Sequence, residues 1–115
     1  MLEAAYQRHL KRKLERMFPD CFIMKLDSSY RQGVPDLIIL YEDMWAVLEV
    51  KKAANEPMQP NQEYYVGLLG GMSFAAFIHP GNEREILRDL QQEFEARRAA
   101  RLSQCEQTCL AQVRR

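Results

Sequence analysis

The stretch PDLIILYEDMWAVLEVK, residues 35–51, determines the fold that we expect for this chain. It contains two runs of strand-forming residues, Pro35–Tyr41 and Met44–Lys51, separated only by Glu42 and Asp43. This spacing predicts a hairpin with a two-residue turn. Both runs are apolar at successive positions rather than at alternate ones. That pattern predicts strands covered on both faces, as in a sheet packed between helices.

The turn of this hairpin also predicts which polar residues meet. With Glu42 and Asp43 as the turn, Asp36 lies directly opposite Glu49. Like charges at facing positions of two strands are destabilising unless something positive lies between them, and a divalent cation is the simplest such partner. Lys51 follows Glu49 by two residues, so strand alternation points both side chains to the same face. The sequence therefore predicts two carboxylates and one ammonium at one place.

An alternative interpretation needs no chemistry. Asp36 would begin a strand, and Glu49 and Lys51 would form an ordinary ion pair on a surface edge, since these residue types are common two apart in strands. The apolar neighbours argue against it, because burying a carboxylate pair is costly unless the pair is compensated or binds a metal. Such a group suits metal-assisted phosphodiester hydrolysis, in which Mg²⁺ prefers carboxylate oxygens. Lys51 would position or activate a water, or stabilise the phosphorane, and the sequence leaves both roles open.

Periodicity and turn residues predict the elements on either side of the hairpin. Before the hairpin we expect a helix over Leu2–Phe18 and a strand over Phe22–Leu26. After it we expect a second helix from Pro60 to about Leu69, ended by Gly70 and Gly71, and then a strand over Met72–Ile78. A third helix follows, marked by Ile86, Leu87, Leu90 and Phe94. A strand, a helix and a further strand imply a right-handed crossover with parallel pairing. The predicted fold class is α/β, with a mixed four-stranded sheet flanked by helices.

Composition sets the protein class. The chain has 115 residues, of which 47% are hydrophobic and 28% charged, which is typical of one globular domain. We expect a domain over residues 1–98 and a basic tail over 99–115, helical or disordered. No apolar stretch is long enough to span a bilayer, and the first residues do not resemble a signal peptide, so we expect a cytoplasmic protein.

Neither net charge nor cysteine content adds a functional site. Sixteen Lys and Arg balance sixteen Asp and Glu, so net charge does not argue for a nucleic-acid partner, although both termini are mildly basic. The three cysteines, Cys21, Cys105 and Cys109, are too few for a complete disulfide framework and fit a reducing compartment. Cys105 and Cys109 are not accompanied by a second pair of Cys or His residues at the spacing of metal ligands.

The segments Gly33-Val34-Pro35-Asp36-Leu37 and Glu49-Val50-Lys51 resemble the signature of the PD-(D/E)XK nuclease superfamily, including its literal PD and E-x-K. The chain looks most like small stand-alone VRR-NUC nucleases and the phage and archaeal Holliday-junction resolvases. The resemblance covers roughly residues 1 to 94. It implies a restriction-endonuclease-like αβββαβ core, dependence on Mg²⁺ or Mn²⁺, and metal ligation by Asp36, Glu49 and the main-chain carbonyl of Val50.

The resemblance extends to further site residues. Members commonly supply an acid from the first helix, for which Glu3 is the candidate and Glu15 the fallback, and a glutamine on the helix after the motif, which Gln62 matches better than Gln59. The structural alternatives are a carboxylate that favours a helix N-terminus and an ordinary polar helix residue. The expected catalytic set is Asp36, Glu49, Lys51, Glu3 and Gln62.

Other residues receive weaker assignments. Arg31 and Lys52 flank the motif and are candidates for phosphate contacts, though solvated cations are as common. His9 and His79 have no recognisable partner pattern, so we assign neither a catalytic role.

The function expected from these residues is a metal-dependent DNA endonuclease acting on branched or structured DNA, as a homodimer, in a bacterial host cytoplasm if the chain is phage-encoded. One alternative is a nicking or single-strand nuclease of phage replication or repair. Another is a catalytically silent nuclease fold that serves as an adaptor. A small α/β protein without nuclease ancestry would require both motif matches to be accidental.

Overall fold

The computed structural model describes residues 2–107, with side chains through Gln104. Within that range the chain forms, in order, α1 (Glu3–Met17), β1 (Phe22–Lys25), β2 (Leu37–Tyr41), β3 (Met44–Val50), α2 (Gln62–Met72), β4 (Phe74–Ile78) and α3 (Glu83–Gln107). The predicted α/β class and the order of elements are confirmed.

The four strands form one mixed sheet in the order β1-β2-β3-β4. The first two pairings are antiparallel, whereas β3 and β4 are parallel, as the predicted crossover requires. Leu37 pairs with Leu48 across the β2–β3 hairpin, which confirms the predicted register. Glu42 takes a left-handed φ of 57° in the two-residue turn, as tight hairpin turns demand.

The face of the sheet that meets α1 and α3 holds the hydrophobic core. Its buried members come from alternate positions of the strands and from three- and four-residue steps along the helices: Tyr6, Leu10, Leu14, Phe18, Leu37, Ile39, Met44, Ala46, Leu48, Val50, Ile78, Leu87, Leu90 and Phe94. Phe18 joins the layers, because its ring centroid lies 5.2 Å from those of both Tyr41 and Phe94. Burial of these side chains fixes the sheet against both helices.

The opposite face of the sheet is covered only in part. The eleven-residue helix α2 packs on β4 and β3. Beyond its reach, Phe22 and Leu40 face each other on β1 and β2 and remain 58% and 37% exposed. Burial on both faces, predicted for the two hairpin strands, is therefore right for most of β3 and wrong for β2.

Two helix ends differ from the prediction. Helix α2 does not stop at Gly70 but continues to Met72, because the helical hydrogen bonds persist as far as Ser73 N, which donates to the Leu69 carbonyl over 2.9 Å. Its first helical residue is Gln62 rather than Pro60, since Asn61 takes a left-handed φ of 70° just before it. Strand β4 accordingly begins at Phe74, two residues later than expected.

Helix α3 runs without a break past residue 98, where we placed the domain boundary, to Gln107. Side chains of its second half hold it to the rest of the domain: Arg97 donates to Ser73 Oγ over 2.9 Å, and Arg101 forms ion pairs with Glu42 and Asp43 in the hairpin turn. Residues 108–115, including Cys109, and the side chain of Cys105 lie outside the described residues.

None of the helices within residues 2–107 has the length and apolar character required of a membrane span.

Candidate metal-binding and catalytic site

Asp36 lies where the loop before β2 enters the sheet, one residue before the strand begins. Its main-chain carbonyl accepts a hydrogen bond from Leu26 N over 2.8 Å, which continues the β1–β2 pairing. Its side chain turns toward β3, where Oδ2 accepts a 2.8 Å hydrogen bond from Val50 N. The aspartate is thus fixed against the end of β3 that carries Glu49.

Glu49 is a carboxylate buried with incomplete compensation. It lies on the α2 side of β3, retains only 3% exposure, and Oε1 accepts a 2.9 Å hydrogen bond from Gln62 Nε2. Oε2 is buried and receives no hydrogen bond from a donor among the described residues. Burial, then the negative charge of Asp36 and a hydrogen bond that the protonated carboxyl forms with the Asp36 side chain, raise the pKa of Glu49 to about 8. At neutral pH this site therefore favours either a proton or a cation.

Lys51 is also buried, at 5% exposure, yet it does not neutralise Glu49 by direct contact. Its Nζ donates to Gln62 Oε1 over 2.6 Å and to the carbonyl of Pro57 over 3.3 Å. Gln62 therefore bridges the ammonium and the carboxylate, with its Nε2 on Glu49 and its Oε1 on Lys51. A main-chain bond from Gln59 N to the same Oε1, 2.9 Å long, fixes the amide orientation.

Of the two acids considered on α1, the structure brings Glu3 to the site. Burial and then the charges of Asp36 and Glu56 raise the pKa of Glu3, against the opposing charges of Lys52 and Lys51. Glu15, three turns further along the helix, is exposed, and its charge adds to the burial that raises the pKa of Cys21. Glu3 is thus near enough to Asp36 to interact through its charge.

Two loops enclose the carboxylates. The loop between β1 and β2 and the loop before α2 meet at Gly33, where a Cβ would stand 2.6 Å from Asn61 Cβ and 2.7 Å from the Pro60 carbonyl oxygen. Gly33 also has a φ of 93°, a conformation that L-residues with side chains rarely adopt. The glycine of the GVPD segment is therefore what allows the loops to close around a hollow of about 390 Å³ that Asp36 and Glu49 line.

The residues present fit a divalent cation. The buried, unpartnered Oε2 of Glu49 beside the charge of Asp36 is a site that lacks a positive partner, and hard cations bind carboxylate oxygens. No group of three or more His, Cys, Asp or Glu side chains among the described residues is arranged to hold a metal. Glu3 therefore does not complete a three-carboxylate set, and the cation would depend on the two carboxylates and main-chain oxygen.

The two candidate DNA contacts lie at different distances from this hollow. Arg31 lines a neighbouring hollow with Tyr30 and Val34 rather than the one that holds the carboxylates. Lys52 is nearer, because its positive charge lowers the pKa of Glu3, which interacts with Asp36. Its main-chain N–H donates to Glu56 Oε2 over 2.7 Å. The structure thus brings Lys52 to the site and leaves Arg31 beside it.

Sequence reasoning missed several residues of the site. Ser28, Ser29 and Gln32 line the hollow and were not expected there, whereas Gln59, which also lines it, is the weaker of the two glutamines that the sequence offered. They belong to loops, where neither periodicity nor strand register indicates which residues meet. The turn-forming polar composition of residues 27–33 marked the loop but not its proximity to Glu49.

Comparisons of the chain with protein-family models, with curated proteins and with solved structures find no match.

Proposed function

We propose that the chain is a divalent-metal-dependent nuclease of the PD-(D/E)XK type that hydrolyses phosphodiester bonds in DNA. The observation that carries the proposal is the uncompensated carboxylate: Glu49 is 3% exposed, has a free buried oxygen and faces Asp36, while Lys51 is held beside it through Gln62. A structural role alone would favour a partner for that oxygen, since a buried unpaired charge is costly.

In this proposal Asp36, Glu49 and the Val50 carbonyl hold Mg²⁺ or Mn²⁺. When bound, such an ion would polarise the phosphate and favour a hydroxide-like water. Gln62 keeps Glu49 and Lys51 in fixed orientation through its two hydrogen bonds. The site would thus bring a nucleophile and a scissile phosphate together between loops that restrict water.

Lys51 retains one donor for the reaction. An ammonium has three N–H groups, of which Gln62 and Pro57 accept two. The third is available to a phosphate oxygen or to the attacking water. Because Lys51 is buried, its charge would act on the transition state with little screening by solvent.

We further propose that the substrate is branched or structured DNA and that the active form is a homodimer. Two strands of a junction are cut symmetrically by two related active sites, which a two-fold dimer supplies. The apolar side chains left exposed on the outer face of β1 and β2, Phe22, Met24 and Leu40, offer a surface for a second copy.

The test is cleavage of labelled four-way junction, flap, nicked, linear duplex and single-stranded DNA with Mg²⁺ or Mn²⁺. The wild type is compared with Asp36→Ala, with Asp36→Asn, which retains an acceptor for Val50 N, and with Asp89→Ala, an exposed control on α3. We expect selective junction cleavage by the wild type and control, and none by either Asp36 variant.

Each other outcome revises a specific part of the proposal. Preference for nicked or single-stranded DNA would replace the junction substrate with the simpler nuclease activity. DNA binding without cleavage by a folded wild type would favour the adaptor. Full activity at the gel-filtration mass of one chain would contradict the homodimer.

A further inference from the structure

A second hollow, of about 260 Å³, lies between α1 and the edge strand β1. Its floor includes the apolar Ile23 and Leu37, and its rim carries Arg8, Lys11 and Lys25. None of the described residues that line it is acidic. Three cations therefore share one concave surface in a chain whose formal net charge is zero.

The three cations of this hollow have no acidic partner among the described residues, in contrast to the cations that hold α1, α3 and the hairpin turn together. Lys13 pairs with Glu83, Arg97 with Glu93, and Arg98 and Arg101 with the hairpin turn. In contrast, Arg8, Lys11 and Lys25 form no ion pair within the part of the chain whose side chains are described. Like charges placed together repel one another, and a polyanion would relieve that repulsion.

The basic hollow is continuous with the carboxylate site. Lys25 lines both this hollow and a larger one of about 410 Å³ beside it, which Asp27 also lines. Ser28 lines both that larger hollow and the one that contains Asp36 and Glu49. Lys25 also pairs with Leu37, the residue that follows Asp36. A chain of phosphates could therefore pass from the cations to the carboxylates along one surface.

The positions of Arg8 and Lys11 along α1 span a few nucleotides of a DNA backbone. Arg8 and Lys11 follow Glu3 by five and eight residues, which is about 7.5 and 12 Å along the helix axis. One strand of B-DNA advances about 3.4 Å per phosphate. The two side chains would thus meet phosphates roughly two to four nucleotides from the bond at the carboxylate site.

We infer that Arg8, Lys11 and Lys25 form a groove that binds the phosphate backbone of the DNA substrate on one side of the scissile bond. The inference rests on the proposed function for its substrate class. Contacts to phosphates carry no base information, so the groove sets position and affinity rather than sequence preference.

The test measures DNA binding by fluorescence anisotropy in EDTA, so that no cleavage is required, over a series of salt concentrations. The variant Arg8→Gln/Lys11→Gln is compared with Arg12→Gln/Arg16→Gln, which removes two exposed charges from the same helix outside the hollow. Loss of two phosphate contacts should weaken binding about tenfold and reduce the slope of log K against log salt by about 1.8. The control should keep the wild-type slope, and Lys25→Gln should reduce the slope by about 0.9.

A second measurement locates the DNA phosphates that the groove contacts relative to the cleaved bond. A neutral methylphosphonate two to four nucleotides from the cleaved bond should weaken binding by the wild type and leave the Arg8→Gln/Lys11→Gln variant unaffected. Equal slopes for both double variants, or no binding by the wild type, would overturn the groove. Groove-dependent binding by a protein that cuts no DNA would retain the groove and reject the nuclease, whereas cleavage indifferent to these charges would do the reverse.

Discussion

Glu49 and Glu83 are both carboxylates largely removed from solvent, but their surroundings differ. Glu83, at the start of α3, receives a 2.7 Å hydrogen bond from Lys13 Nζ and lies 3.6 Å from His9. Although its burial acts in the other direction, the Lys13 hydrogen bond lowers the pKa of Glu83 below its usual value. Glu49 faces Asp36, and its pKa is raised.

The difference shows that this fold can supply a cation to a buried carboxylate and does not do so at Glu49. A lysine is close enough, yet Lys51 donates to Gln62 and Pro57 rather than to Glu49 itself. Glu83 stabilises the contact between α1 and α3, whereas Glu49 remains able to accept a charge from outside the chain. This contrast is the main physical argument for a functional site.

Exchanging each carboxylate for its amide should separate the two roles most strongly. Glu49→Gln should reduce cleavage at least about a hundredfold, the scale of losing one preorganised electrostatic contact. In EDTA at pH 8 the same variant should be more stable by about 1–3 kcal/mol, because a neutral amide, which has an N–H donor for Asp36, replaces a buried carboxylate that faces the charge of Asp36.

Glu83→Gln is the matched control for that variant. It should retain cleavage and lose about 1 kcal/mol of unfolding free energy, since it weakens a charge-assisted hydrogen bond. Denaturant unfolding and cleavage rates measure both effects. Equal destabilisation by the two substitutions would show that Glu49 is a structural residue like Glu83.

The pH dependence of stability provides a smaller test of the same contrast. Glu49 has a folded pKa of about 8, above its ordinary value of 4.5, so its contribution to stability is fully present below pH 4.5 and is lost as the pH rises through 8. Glu83 has a lowered folded pKa, so its contribution is present above pH 4.5 and is lost as the pH falls through that lower value.

Unfolding curves in EDTA between pH 3 and 9 measure these contributions. Glu49→Gln should remove part of the decline in stability toward pH 8, and Glu83→Gln should remove part of the decline on the acid side. Unchanged alkaline behaviour in Glu49→Gln would contradict the assignment of a raised pKa to this carboxylate.

Strand patterns predicted the centre of the molecule well because local rules determine it. Two apolar runs separated by Glu42 and Asp43 leave one short hairpin. Its register pairs Leu37 with Leu48, so Asp36 and Glu49 are the next positions along the two chains. The sequence between β3 and β4 then predicted a parallel crossover, which is confirmed. These relations depend on neighbouring residues rather than on distant contacts.

Tertiary contacts determine what the patterns did not predict. Helix α2 passes through Gly70 because its packing on β4 and β3 supports a further turn, which ends where Ser73 N donates to the Leu69 carbonyl. The outer face of β2 is exposed because α2 covers other strands. The basic groove joins Arg8 and Lys11 to Lys25 across two elements, so charge counts along the sequence did not reveal it.

The bridge formed by Gln62 was predictable from the sequence in one respect and depends on tertiary contacts in another. A glutamine on the helix after the motif was expected from the family resemblance, with Gln62 as the better match. Its simultaneous contact with Glu49 and Lys51 depends on where α2 meets β3, which periodicity does not specify.

Cation binding bears directly on the role proposed for Glu49, whose buried Oε2 receives no hydrogen bond from the described residues and would accept a metal. Mn²⁺ is titrated into the wild type, Glu49→Gln and Glu83→Gln at pH 7.5, with bound metal followed by electron paramagnetic resonance. We predict one site per chain in the wild type and Glu83→Gln, and an affinity at least about tenfold lower in Glu49→Gln. Equal Mn²⁺ binding by all three proteins, or none by the wild type at millimolar metal, would contradict the account.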